Sequence, residues 1–164
     1  GNANIYGLES LLDINLKKVL LLNSAYIFNT FLNLSIIESK YINSDEPGVQ
    51  GKEVEFVPKY NIKYGIKFGH KNFTSYLQYS YLASQFSDSS NSVESNLSGV
   101  IGQIPAYDIL DISVNYKLGK IKLETGVNNI LNTSYFTRRA TGYPGPGIIP
   151  SPPRNYYLTL QYKF

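Results

Sequence analysis

Strict two-residue alternation, sustained for nine to eleven residues at a time, constrains this chain more than any other feature. The C-terminal stretch RNYYLTLQYKF is the clearest case. Tyr156, Leu158, Leu160, Tyr162 and Phe164 fall on one face, and Asn155, Tyr157, Thr159, Gln161 and Lys163 on the other. Successive strand residues point to opposite faces, so this period predicts half-buried strands. The pattern recurs from Leu110 to Leu118, from Ile121 to Asn128, from Tyr60 to Phe68 and from Phe73 to Ser84. Leu12, Ile14 and Leu16 alternate with Asp13 and Asn15. From Leu20 to Leu32 both faces are partly apolar, and Leu22, Tyr26 and Phe28 are assigned to the apolar face. Seven strands result, at about 3–16, 20–36, 54–68, 72–86, 107–118, 120–131 and 154–164.

The connections alternate in length. Short turns fall at Lys17-Lys18, Gly69-His70-Lys71 and Gly119. Long polar loops rich in Gly, Pro and Ser cover about 37–53, 87–106 and 132–153. Strands that reach the ~9–11 residues of a bilayer-crossing strand, with short turns at one end and long loops at the other, predict an all-β, antiparallel transmembrane barrel wall. Soluble strands run to only about 5–6 residues. The longest unbroken aliphatic run, Val19 to Leu22, excludes a membrane helix, which needs roughly 20 apolar residues.

Composition removes other classes. With no Cys and one His, the chain offers no disulfide, thiolate site, Cys nucleophile or His cluster. A net charge of +3 with 16% charged residues gives no footprint for nucleic acid. His70 falls in a short turn, far from the long loops, and argues against Ser-His-Asp catalysis. Asp88, Asp108 and Asp111 lack the Gly-centred acidic spacing of a calcium loop. We therefore expect no enzyme and no metal site.

Seven strands do not close a barrel, because single-chain bacterial barrels have even strand numbers. An open sheet in hydrocarbon leaves two edges of unsatisfied N–H and C=O groups at several kcal/mol each. About five groups per edge sum to tens of kcal/mol, against a typical stability of about 5–15 kcal/mol. Either an eighth strand completes a small structural or adhesive barrel, or this is the C-terminal part of a larger one. The missing Met and the start Gly1-Asn2-Ala3-Asn4, already leading into a strand, favour the larger barrel.

Several stretches resemble the TonB-dependent outer-membrane receptors. NANIYGLESLL (Asn2–Leu12) resembles their Gly-x-Glu strand, and GKEVEFVPKYNIKYGIKF (Gly51–Phe68) their Pro-containing strand. Gly126–Phe164 resembles their C-terminal end, with Asn128-Asn129-Ile130-Leu131-Asn132, then Tyr135, and a terminal Phe164. The loop YFTRRATGYPGPGIIP and the segment from Gln85 to Tyr116 resemble the ferric dicitrate type. The resemblance implies that residues 1–164 are about the last seven strands of a barrel of about 22, with the plug domain and earlier strands absent. It implies import of a ferric chelate, a siderophore or ferric citrate-like, energised through the TonB complex, with no covalent cofactor. Its location is the bacterial outer membrane, among outer-membrane lipids and lipopolysaccharide, with short turns periplasmic and long loops extracellular.

Candidate sites follow. Arg138 and Arg139, beside Tyr135, Phe136 and Tyr143, can clamp a carboxylate-rich chelate by bidentate hydrogen bonds, or pair with loop acids or lipopolysaccharide. The Gly and Pro residues from Gly142 to Pro153 predict a rigid folded loop. Tyr156, Tyr162, Phe164, Tyr116, Phe68 and Tyr81 are expected in aromatic girdles. Phe164, Tyr162 and Leu160 resemble the signal read by the barrel assembly machinery. Lys63, Lys67, Lys117, Lys122, Lys163, Glu124 and Asp111 are expected to face the lumen, towards a plug or water.

Overall fold

Seven long antiparallel strands form one meandering sheet in the computed structural model, which describes residues 1–142 and 145–164. In chain order the strands are β1 (Asn2–Ile14), β2 (Tyr26–Asn43), β3 (Tyr60–His70), β4 (Phe73–Leu82), β5 (Gln85–Phe86), β6 (Gln103–Ile104), β7 (Tyr107–Leu118), β8 (Ile121–Asn128), β9 (Phe136–Ala140), β10 (Gly147–Pro150) and β11 (Asn155–Tyr162). The sheet order is β1-β2-β3-β4-β7-β8-β11, so each long strand pairs with its chain neighbour. The short pairs β5/β6 and β9/β10 are separate ribbons within the long loops.

Register carries one apolar face through all seven strands. Leu12 pairs with Leu32, Leu32 with Tyr64, Tyr64 with Tyr79 and Tyr79 with Leu110. Ile112 then pairs with Val127, and Val127 with Tyr156. The opposite face carries the pairs Asn33↔Lys63, Gln78↔Asp111 and Asn128↔Asn155. A one-residue slip would invert every side chain, so this continuity fixes the register.

Neither face has a core of its own. Leu8, Leu158, Leu160 and Tyr156 are 60–72% exposed. The buried apolar residues Val49, Ala83, Ile104 and Ala140 all lie beyond the sheet, among the long loops. A soluble sheet would bury its apolar face. This one presents it as a band suited to hydrocarbon. At the short-turn end the band finishes in rings. Phe68 packs edge-on against Phe28 at 6.0 Å, Tyr26 stacks on His70 at 4.5 Å, and Tyr162 meets Phe164 at 5.2 Å.

Three strand boundaries differ most from those read in the sequence. The strand expected at 20–36 is β2, at Tyr26–Asn43. Asn15 caps a helical turn, Leu16–Val19 (α1), and its side chain accepts from the Lys18 N–H at 3.1 Å. Leu21 takes φ 53°, so the apolar run Val19–Leu22 turns the corner and Leu22 lies outside the strand. At its other end β2 runs seven residues into the expected loop because β1 supplies its ladder as far as Asn2↔Asn43. Eighteen residues at about 3.3 Å, tilted ~45°, rise about 40 Å, more than the ~30 Å of hydrocarbon. The polar residues Glu38 and Lys40 sit on that projecting end. The strand expected from 54 begins at Tyr60 instead, after a loop whose Lys59 forms an ion pair with Glu38.

On the polar face two glycines make room for rings. A Cβ at Gly65 would stand 2.2 Å from Phe31 Cε1, and one at Gly126 2.6 Å from Tyr157 Cε1. Phe31 in turn stacks on Tyr76 at 6.2 Å. Gly65→Ala should destabilise the folded barrel by about 1–3 kcal/mol through overpacking. Phe31→Leu in the same chain should recover most of it, as read from the temperature at which heat-modifiable gel mobility is lost.

Candidate functional site

The three long loops are knitted into one body above the sheet, chiefly by residues whose backbones or amides take on unusual duties. In the first loop the Val54 N–H donates to Ser39 Oγ at 3.2 Å, and the Tyr41 hydroxyl donates to Glu55 Oε2 at 2.6 Å. Asn91, at φ 53°, joins this loop to the second. Its side chain accepts from the Glu53 N–H at 2.7 Å and donates to the Glu53 carbonyl at 2.8 Å, as a neighbouring strand would. A further backbone bond runs from the Phe56 N–H to the Phe86 carbonyl, 2.9 Å.

Arg139 joins the second loop to the third. It lies on β9, and its guanidinium donates to Ser95 Oγ at 2.6 Å and to the carbonyls of Gly99 and Gln103 at 2.8 Å each. It also sits over the Phe136 ring at 5.2 Å. Only 9% of the residue is exposed. Gly102 is required beside it, because a Cβ there would meet Arg139 Nη2 at 3.2 Å and its φ is 132°.

Asn129 holds the root of the third loop. It is 3% exposed, at φ 54°, and its N–H donates to Asp111 Oδ1 at 2.7 Å. Its Nδ2 donates to the Thr133 carbonyl at 2.9 Å, and its Oδ1 accepts from the Thr133 N–H at 2.9 Å. Asn132, at φ 55°, accepts from the Arg154 N–H at 3.1 Å and so fixes the start of β11. Asparagine tolerates the left-handed region and mimics a peptide group, which explains both positions.

The structure separates the residues singled out in the sequence. Arg138, next to Arg139 on β9, is exposed, whereas Arg139 is buried; both border a hollow of about 260 Å³ with Ala140, Thr141 and Gly142. Tyr135 packs on Tyr107 at 4.6 Å and lines a second hollow of about 220 Å³ with Asp111, Asn128 and Asn129. Tyr143 lies outside the described residues. Leu160, Tyr162 and Phe164 continue the apolar row at the far, short-turn end. Sequence reasoning passed over Asn91 and Ser95, and met Asn129 only within the Asn128–Asn132 stretch that carries the family resemblance. For Asn91 the available signal was an Asn between two serines, since Asn in such a setting favours positive φ.

Asp88 organises the second loop. Burial raises the affinity of its carboxyl for a proton. Hydrogen bonds from the Ser90 hydroxyl, the Ser92 N–H and the Ser92 hydroxyl outweigh this and hold its pKa below the ordinary carboxylate value.

Residues 1–130 match the family model described as TonB dependent receptor-like, beta-barrel. The chain belongs to that family. Solved structures of receptors and transporters share its fold. It is 25% identical to the ferric citrate transporter FecA in the unliganded form, with a TM-score of 0.85, covering 99% of this chain and 24% of that one. The ferric yersiniabactin uptake receptor FyuA from Yersinia pestis is 16% identical, with a TM-score of 0.75 and coverage of 99% and 24%. The copper transporter OprC is 17% identical, with a TM-score of 0.68 and the same coverages. This receptor-family chain thus spans about a quarter of the length of these proteins. They are receptors and transporters rather than enzymes.

Two outcomes test the loop body. Arg139→Met should leave three acceptors unpaired, at roughly 1–3 kcal/mol each where buried. Limited proteolysis within 87–106 should speed up at least several-fold while the strands stay protected. Protection factors for hydrogen exchange at 88–92, taken relative to the intrinsic rate at each pH, should fall as pH falls. A carboxyl with a lowered folded pKa contributes its stability above the unfolded value of about 3.9 and loses it as pH drops through the folded pKa. Asp88→Asn should abolish that pH dependence.

Proposed function

We propose that this chain is the C-terminal wall of an outer-membrane receptor importing a ferric chelate of the citrate type, energised through TonB. The observation that carries the reading is the similarity to the ferric citrate transporter, 25% identity and a TM-score of 0.85 over 99% of this chain. The rest of the protein supplies the strands that pair with the edges of β1 and β11, together with the plug through which TonB would act.

In this reading the apolar band contacts lipid, the polar face lines the lumen, and the knitted loops face the medium. The two arginines divide the work. Arg139 keeps the loops in one shape, while Arg138 offers an exposed guanidinium to an anionic chelate. A pre-formed surface loses less ordering entropy on binding than three separate loops would. Tyr135, in its own hollow of the same loop, is proposed as a further ligand contact, and Tyr143 is proposed from its place in the sequence alone. Phe164, Tyr162 and Leu160 serve assembly by presenting the terminal strand to the insertion machinery. No covalent chemistry and no resident cofactor are required, since the ferric chelate is cargo.

The test is uptake of radioactive ferric citrate by cells whose sole candidate receptor is the full-length protein. Uptake should need TonB. Arg138→Ala should lower it about tenfold, the loss expected for one charge-assisted contact. Uptake that persists without TonB, or none at all, would contradict the proposal.

A further inference from the structure

The short-turn end is basic at every turn, which neither loop binding nor cargo explains. Lys17 and Lys18 lie in the first turn, Lys71 in the second, Lys120 in the third and Lys163 just past β11. Within four residues of the strand ends on that side, the acids are Asp13 and Glu124.

The positive charge is densest at the β7-β8-β11 corner. Lys117 stands directly opposite Lys122 across the ladder. Like charges in that position are destabilising. Lys122 is partly neutralised by Glu124, Nζ to Oε2 3.0 Å. Among the described residues Lys117, Lys120 and Lys163 make no ion pair. These four lysines, of which Lys117 and Lys122 belong to the polar face, line a hollow of about 520 Å³ with Gly119 and Gln161, and its lining also includes Ile121 and Tyr162 of the apolar face. Lysine amines of the turn and of the polar face therefore lie at the same rim as two lipid-facing side chains.

We propose that this rim binds the phosphate headgroups of anionic phospholipid in the leaflet beside the short turns. The inference rests on the membrane placement in the proposed function. A discrete acidic peptide would need one basic patch, whereas lysines at all three turns fit a continuous anionic surface. Lys120 and Lys163 reach the headgroup from turn and strand end, their stems lying along apolar surface. Lys117 and Lys122 stand behind them and raise the local potential. Ile121 and Tyr162 border the acyl chain, with Tyr162 at the depth where aromatic belts lie.

The test uses the full-length receptor. In detergent, phosphatidylglycerol and phosphatidylcholine compete for it, and bound lipid is counted by native mass spectrometry. The wild type should retain phosphatidylglycerol preferentially. Lys117→Gln, Lys120→Gln and Lys163→Gln together should reduce that preference at least about fivefold, the factor for one lysine near an anionic surface. Arginine at the same three positions should preserve it. Lys120→Gln alone, in an exposed turn that cannot upset the ladder, should give a smaller loss of the same sign. An unchanged preference in the glutamine variants would overturn the proposal. So would displacement of the lipid by inorganic phosphate, which would mark a soluble-anion site. Failure of the wild type to insert into vesicles of either lipid would instead sink the membrane placement itself.

Discussion

Backbone hydrogen bonding between neighbouring strands is the constraint on which the rest of this chain depends. Its long strands have no core to hold them, because one face is apolar and exposed and the other is polar. What fixes them is the ladder, continuous from β1 to β11 and aligned so that one face stays apolar through every pairing. In hydrocarbon an unpaired peptide group costs several kcal/mol, so register and closure dominate any single side-chain contact. The apolar band, the aromatic belt and the glycines under Phe31 and Tyr157 all presuppose that register.

Packing in the ordinary sense begins only above the sheet. There the loops bury Ile104 to 1% exposure and enclose Asn129 and Arg139. Polar groups rather than apolar ones do most of the joining, each with several partners. Asn91 and Asn129 substitute side-chain amides for strand partners, and Arg139 bonds to two loop carbonyls and a hydroxyl. Such a network gives the loop body a defined shape without a compact hydrophobic core. It also accounts for the asymmetry between ends, since the short turns need no such joining.

Alternation made most of the wall legible in the sequence. The expected span of β7 matches to the residue, and those of β8 and β11 lie within three residues of the observed ends. Alternation failed where its chemistry changes. Val19–Leu22 is apolar yet forms a turn, because Asn15 caps a helical turn and Leu21 adopts positive φ. The outer third of β2 is polar yet remains strand, because β1 reaches up to pair with it. The ribbons β5/β6 and β9/β10 are too short to show a period. In the loops, residue type marked Arg138 and Arg139 as a pair. Only tertiary contacts distinguish a buried clamp from an exposed guanidinium, and no spacing rule encodes that. The motif Asn128–Asn132 was recognisable by resemblance, while its mechanics, two asparagines at positive φ, required the fold.

A wall of this kind has lipid on one face and water on the other, and β7, inside the sheet between β4 and β8, is where that can be measured most directly. This segment contains no cysteine, so in a full-length protein whose cysteines elsewhere have been replaced, single Cys substitutions from Ile109 to Leu118 introduce isolated probes. In the full-length protein in vesicles, labels at Leu110, Ile112, Val114 and Tyr116 should be quenched by lipid-borne nitroxide. Those at Asp111, Ser113, Asn115 and Lys117 should react with a water-soluble maleimide. Uniform water access along the strand, or a period other than two, would contradict the account.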